Sequence, residues 1–419
     1  MCQRASALYL GASSTYISRA MHGFSYRNGS LYCEDVELAA LAGEYGTPLY
    51  VYSAATILDH YRRLDTALAG VDHEVAYAVK ANPHPGVCAR LAALGAAFDC
   101  ASEGELALVS GLGQRGDRVL LAGPGKSDKE IGMALDLGAR IEADGMEDLE
   151  AIDRHLDTRG FSGTLPISLR VHPGAGHGVA ESSRIIGGDG PSAFGIDEEN
   201  LDAFLVGAGR VERLRVAGLQ VFAASNERDA TRLLANHRAA LAIAEGMSSR
   251  HGCAIDLIDL GGGLGIPYST DEYPLDIAAL GEGLGRLLAD NAWFKGELLL
   301  EPGRWLVGPI GVYLSRVLRT KHSRGSDFAI LEGGVNHLLR PALTGQSFPV
   351  AAPGVQGKKQ ATILAGPLCT SLDRLGTLDL PPLARGDLLV FGQAGAYGFT
   401  EAMKDFLSHP AAGELCIEG

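Results

Sequence analysis

From Thr47 onward, short apolar runs alternate with longer stretches whose apolar positions recur at helical spacing. The runs occupy residues 49–52, 75–79, 119–122, 167–171, 216–221, 255–260 and 298–301. Between them lie Ala- and Leu-rich amphipathic segments such as 54–69 and 226–250. An apolar run without alternation is a strand covered on both faces, and strand–helix alternation is how a parallel sheet is assembled. Repeats of this kind before residue 305 fit an α/β fold, a TIM-like (β/α)8 barrel of roughly 250 residues. An open doubly wound sheet has the same periodicity and stands as the alternative.

After Gly308 the pattern changes. Residues 312–321, 328–331, 361–364 and 388–391 read as strands separated by Gly- and Pro-containing turns, with little helix between them. Near the start, residues 25–33 alternate aromatic and polar positions around Asn28-Gly29, a hairpin signal. The expected organisation is an N-terminal segment, 1–48, packing with a mainly antiparallel C-terminal β-domain, 306–419, around a barrel domain, 49–305. No solenoid-period repeat and no low-complexity tract interrupts it.

Composition narrows the function classes. The chain of 419 residues is long enough for two cores, and its net charge is −14 with 36 basic against 50 acidic residues. That balance argues against nucleic acid or an anionic membrane as partner. No stretch approaches the ~20 apolar residues of a membrane helix, and no apolar run follows the N-terminus, so a cytoplasmic enzyme is expected. The 7 cysteines are odd in number and dispersed, which reads as reduced thiols; no cluster has metal-ligand spacing, so no metal is expected.

Five places carry candidate chemistry. Lys80 closes an apolar strand, where a barrel puts functional groups. Desolvation against the strand's apolar wall is expected to lower its pKa and suit it to Schiff-base chemistry with an aldehyde; an ordinary strand-end lysine is the competing reading. Asp259-Leu260-Gly261-Gly262-Gly263-Leu264-Gly265 follows another strand, and its glycines let backbone N–H groups approach a phosphate, or merely make a tight turn. Glu301-Pro302-Gly303-Arg304 offers a carboxylate able to keep a pyridine nitrogen protonated and a cation able to fork onto an anion, or else a turn salt bridge. Cys369 lies in Gly366-Pro367-Leu368-Cys369-Thr370-Ser371-Leu372-Asp373, a loop that favours accessibility. Gly395-Ala396-Tyr397-Gly398 sets a tyrosine between glycines.

Taken in order, these pieces resemble the fold-type III pyridoxal-phosphate decarboxylases, the group of diaminopimelate and ornithine decarboxylases. Tyr77-Ala78-Val79-Lys80-Ala81-Asn82 is similar to that family's Schiff-base motif, and Asp99-Cys100-Ala101-Ser102-Glu103-Gly104-Glu105 to the strand and helix start that follow. The resemblance runs from about Thr47 to the C-terminus. It implies pyridoxal 5′-phosphate as cofactor, Lys80 as its covalent anchor and Glu301 as partner of the pyridine nitrogen. It further implies Gly262, Gly263, Gly303 and Arg304 around the phosphate, with Arg304 also reaching substrate. Cys369 and Tyr397 would complete the site from the other subunit of a homodimer, and Arg340 would hold a substrate carboxylate.

The departures from the pattern bear on the substrate. Phe222 stands where the family stacks a histidine on the cofactor ring, while Ser225 is kept; a phenyl face stacks but carries no charge. Diaminopimelate decarboxylases place a glutamate after the cysteine and a tyrosine four residues after the arginine. Here those positions are Thr370 and Thr344. Losing a buried charged partner for a distal ammonium removes about 1.5–3 kcal/mol of binding. The chain more closely resembles the subgroup acting on aminoacyl groups held by acyl carrier proteins and the exosortase-associated decarboxylases. The implied substrate is then an acidic aminoacyl group on an acyl carrier protein. The alternatives are a diaminopimelate decarboxylase making lysine, a racemase on the same barrel, and a non-catalytic regulator. Racemases of this fold face the pyridine nitrogen with arginine, so Glu301 speaks against the second of these.

Overall fold

The computed structural model describes residues 17, 21–174, 191–222, 224–269 and 271–418; Cys2, Ala223 and most of the first twenty residues of the expected N-terminal segment lie outside them. The chain divides into two units. One takes in Tyr61–Ile266 and Pro274–Gly303; the other takes in the described residues up to His60, Pro267–Tyr273 and the chain from Arg304.

The first unit is a closed barrel. Its parallel strands are His73–Ala78, Ala97–Cys100, Val119–Leu121, Arg140–Ala143, Leu165–His172, Leu214–Gln220, Leu257–Asp259 and Glu297–Leu300. Each pairs with the next, and the last pairs back onto the first through Leu300 and Val75. That ring closure excludes the open sheet. A short strand, Ile196–Asp197, adds to the outside of Leu165–His172.

Side chains two residues apart on a strand share a face. Ala76, Ala97, Leu120, Leu257 and Leu299, from five strands, form one apolar cluster. Two residues further along, the same face carries Ala78, Asp99, Ala122, Asp259 and Glu301. An apolar layer thus lies beneath an acidic one, at the carboxyl ends of the strands where barrels place chemistry. The surrounding helices are set by local signals. Asp128–Leu137 starts with a reciprocal capping box between Ser127 and Glu130 and stops at Gly138, whose φ is 67°.

The second unit is built on an eight-stranded, mainly antiparallel sheet. Its path runs Val350–Ala351, Leu388–Phe391, Gly311–Ser323, Ser326–Leu331, Gln360–Ala365 and Arg374–Leu380. Leu49–Ser53, which the apolar pattern placed among the barrel runs, belongs here instead. It pairs antiparallel with Gly311–Ser323 and parallel with Gly413–Ile417. All five of its residues are buried, so its pattern is that of a doubly covered strand in either kind of sheet. The hairpin of Phe24–Arg27 and Ser30–Cys33 turns at Asn28 and Gly29, with φ of 51° and 89°, as a two-residue turn with both central residues left-handed requires. Phe24, Leu31 and Cys33 share one core cluster with Leu49, Val51, Val312, Leu314 and Val390.

Candidate active site

Strand His73–Ala78 ends in the single turn Val79–Ala81, which carries Lys80. The Lys80 ammonium lies 3.4 Å from Asp99 Oδ2 on the neighbouring strand. The Lys80 side chain is 52% exposed between buried Val79 and Ala81, whereas that of Asp99 is 3% exposed.

Glu301 follows the last barrel strand and is buried. Its Oε2 accepts a hydrogen bond from Gln220 Nε2 at 3.1 Å, while Oε1 has no hydrogen-bond partner. Burial pushes the Glu301 carboxyl up to about 7, and Asp99 adds to the rise; Lys80, the adjoining Asp259 carboxyl and Arg170 pull the other way. Glu142 and Asp259 lie beside it, one carboxylate oxygen of each within 4.8 Å of the others. Burial first, and repulsion from neighbouring carboxylates second, push both well above the ordinary range, with Arg170 opposing the rise for Glu142. Sequence reasoning missed Glu142 and Gln220 and assigned Asp99 and Asp259 no role. For Asp99 and Asp259 the available signal was an acid within an otherwise apolar strand.

The glycine loop begins with Asp259 Oδ1 accepting the Gly261 N–H at 2.7 Å. Gly261 and Gly263 have φ of 65° and 88°. A Cβ on Gly262 would sit 2.5 Å from the Glu301 carbonyl oxygen, and one on Gly263 would sit 2.6 Å from that of Ala224. Side chains are sterically excluded, so the loop stays bare backbone. The Phe222 ring lies against Gly261, and Ser225 is half-buried next along the segment.

In the β-unit, Arg304 and Arg340 are buried on either contact of Tyr397, their guanidinium carbons 4.9 Å and 5.0 Å from its ring centroid. Tyr397 adopts φ of 60°, a left-handed conformation unusual outside glycine. Arg304 Nη1 donates to the Tyr268 hydroxyl at 2.8 Å. Arg340 Nη1 already faces a carboxylate, Glu401, at 3.2 Å. The Thr344 hydroxyl donates to the Arg340 carbonyl, and the Thr370 hydroxyl accepts from Leu372 N–H. Cys369 is the exposed thiol among the described free cysteines. Its loop is stapled by buried Asp373, whose carboxylate accepts from Val335 N–H at 2.8 Å and Leu368 N–H at 2.7 Å.

Residues 54–308 match the model of the pyridoxal-binding domain of pyridoxal-dependent decarboxylases. The chain belongs to this decarboxylase family. It is 36% identical to a diaminopimelate decarboxylase of Pseudomonas aeruginosa, over 95% of this chain and 94% of that one. It is 28% identical to the L-glutamyl-[BtrI acyl-carrier protein] decarboxylase of Niallia circulans, over 91% of each. Among solved structures, the diaminopimelate decarboxylase of Helicobacter pylori with L-lysine superimposes with a TM-score of 0.82 at 25% identity, covering 91% of this chain and 94% of that one. The protein is therefore a pyridoxal-phosphate-dependent carboxy-lyase, and the regulator alternative is set aside. Its barrel suits the cofactor: an amine at a strand end, a buried carboxylate oxygen awaiting a donor, and a loop that steric contact keeps free of side chains. Among the described residues no helix is long and apolar enough to cross a membrane.

Proposed function

We propose that this decarboxylase removes the α-carboxylate of an acidic aminoacyl group tethered to an acyl carrier protein. The observation that carries the reading is the state of the two threonines. Both Thr344 and Thr370 engage neighbouring backbone through their hydroxyls, and neither offers charge to a distal ammonium. The nearby carboxylate of Glu401 is already paired with Arg340. An uncharged distal end suits a substrate whose far end continues into a carrier's arm, as the substrate name of the Niallia circulans relative implies for that enzyme. Arg340 would meet an acidic side chain by exchanging Glu401, the more exposed half of that pair at 29% against 4%. The second reading, diaminopimelate decarboxylation, is supported by the names of the more similar relatives.

When bound, pyridoxal phosphate supplies an electron sink for the bond broken at the α-carbon. In this reading the Lys80 amine would anchor the cofactor through its aldehyde, and the Glu301 carboxylate would pair with its ring nitrogen. Phe222 and Ser225 border the ring, and Gly262, Gly263, Gly303 and Arg304 hold the phosphate. Cys369 delivers the proton that replaces the lost carboxylate, and Tyr397 helps keep water from the reacting carbon. Cys369 would serve the partner's site in a homodimer, whereas Tyr397 packs on Arg304 of its own chain; exposed Leu372, at 67%, and Leu343, at 60%, support an interface near the Cys369 loop.

The test measures turnover per active site on free diaminopimelate, ornithine and glutamate beside glutamyl and aspartyl carrier-protein thioesters. A carrier-linked substrate is expected to be best. Diaminopimelate leading by about tenfold, some 1.4 kcal/mol, would return the enzyme to lysine formation.

A further inference from the structure

The acidic layer of the barrel holds more negative charge than its surroundings neutralise. Glu142, Asp259 and Glu301 are 0%, 1% and 5% exposed, and they come from the fourth, seventh and eighth barrel strands or the residue just beyond. Asp99 and Asp144 add further negative charge around them. The opposing cations are Arg170, Lys80 and Lys126. Lys80 faces Asp99, and Lys126 is bound to Asp144 and Asp148 at 2.9 Å and 3.0 Å. Buried carboxylates this close do not all stay ionised. Treated as anions, both oxygens of Glu142, Oδ2 of Asp259 and Oε1 of Glu301 are left without a donor. Buried acceptors without donors are costly, so protons must occupy part of the cluster.

The hydrogen bonds show where they go. Asp259 Oδ1 is taken by the Gly261 N–H, which leaves Oδ2 as the oxygen able to carry a proton. Glu301 Oε2 is taken by Gln220 Nε2 and is an acceptor there. Resting on the reading of Glu301 as partner of the ring nitrogen, we propose that Asp259 and Glu142 are positioning residues held in their protonated form. Asp259 donates to Glu301, and Glu301 remains the single ionised carboxylate of the three. The titration directions keep the same order: burial holds Asp259 and Glu142 well above the ordinary range, whereas the rise of Glu301, to about 7, is held back by Lys80, Asp259 and Arg170. Asp259 thus has two duties, fixing the start of the glycine loop through Oδ1 and orienting Glu301 through Oδ2.

Asparagine and glutamine copy a protonated acid's shape and donor without its ability to ionise. In the holoenzyme, D259N and E142Q are expected to keep cofactor affinity within about threefold of wild type, and D259L to weaken it by about tenfold or more, the scale of one buried hydrogen bond to a charged group. Infrared difference spectra of the holoenzyme at neutral pH, wild type minus D259N and wild type minus E142Q, are expected to show the C=O stretch of a protonated carboxyl. A missing band in both spectra, or a tenfold loss of cofactor affinity in both amide variants, overturns the proposal; these two variants decide it even where D259L fails to fold. E301Q separates the underlying reading. If it leaves cofactor affinity unchanged, Glu301 does not hold the ring, whatever the infrared spectra show.

Discussion

His237 is 2% exposed within the helix Ala230–His251, with Nδ1 unpartnered. Burial pushes its pKa down to about 4. The unfolded chain then binds a proton that the folded chain refuses, so stability is lost as pH falls from the unfolded value, about 6.5, toward 4. The full effect is about 3 kcal/mol. His237→Leu is expected to flatten the acid side of a plot of unfolding free energy, from urea titration, against pH by that amount; an unchanged slope would assign the acid sensitivity elsewhere. At Lys80, substitution by alanine is expected to abolish turnover and the borohydride-reducible cofactor adduct while leaving the fold intact, because no other lysine ends a barrel strand. Adduct formed at full yield would move the anchor elsewhere. Lys80 and Glu301 stood out as candidates because each follows an apolar run at the expected end, and Arg304 because it follows in the same turn. Glu142 was not, since its strand reads Arg-Ile-Glu-Ala and two of its four residues carry charge. Its inward direction is set by neighbours on other strands, which a local pattern does not contain.

Among elements, the helix Ile277–Asp290 shows how packing decides the meaning of a glycine. A Cβ on Gly281 would overlap the carbonyl oxygen of Ala67, and backbone cannot step aside. Gly281→Ala is expected to cost at least about 2 kcal/mol in urea unfolding. Gly285, one turn along, has nothing within 4 Å of that position, so Gly285→Ala is expected to stabilise by about 0.5–1 kcal/mol. Equal effects at the two sites would refute the close approach. The same dependence on context limits what periodicity reveals. The runs at 216–221 and 298–301 were placed correctly because a doubly buried strand has few other homes. Leu49–Ser53 looks identical and sits in the other sheet, since burial on both faces does not record whether the neighbour runs parallel. Arg374–Leu380 and Gly413–Ile417 escaped notice because their residues are largely exposed or half-buried, and pairing rather than hydrophobicity defines them.

At the scale of the whole molecule, the proposed sharing of sites between subunits has a direct test. Mixing inactive Lys80→Ala with inactive Cys369→Ala subunits is expected to restore roughly a quarter of wild-type activity on random exchange, one sound site forming in each mixed dimer. No recovery after proven exchange would place Cys369 in its own subunit's site. The paired strands of the β-unit also carry a consequence for how the chain is made. Leu49–Ser53 leaves the ribosome early, yet its partners Gly311–Ser323 and Gly413–Ile417 come only after the whole barrel has been synthesised. This buried strand must therefore wait unpaired through most of translation, whereas every barrel strand has a neighbour synthesised by Leu300. Nascent chains arrested after Gly303 should accordingly hold a protease-resistant barrel and a cleavable first fifty residues, which makes this strand the natural point of capture for a chaperone.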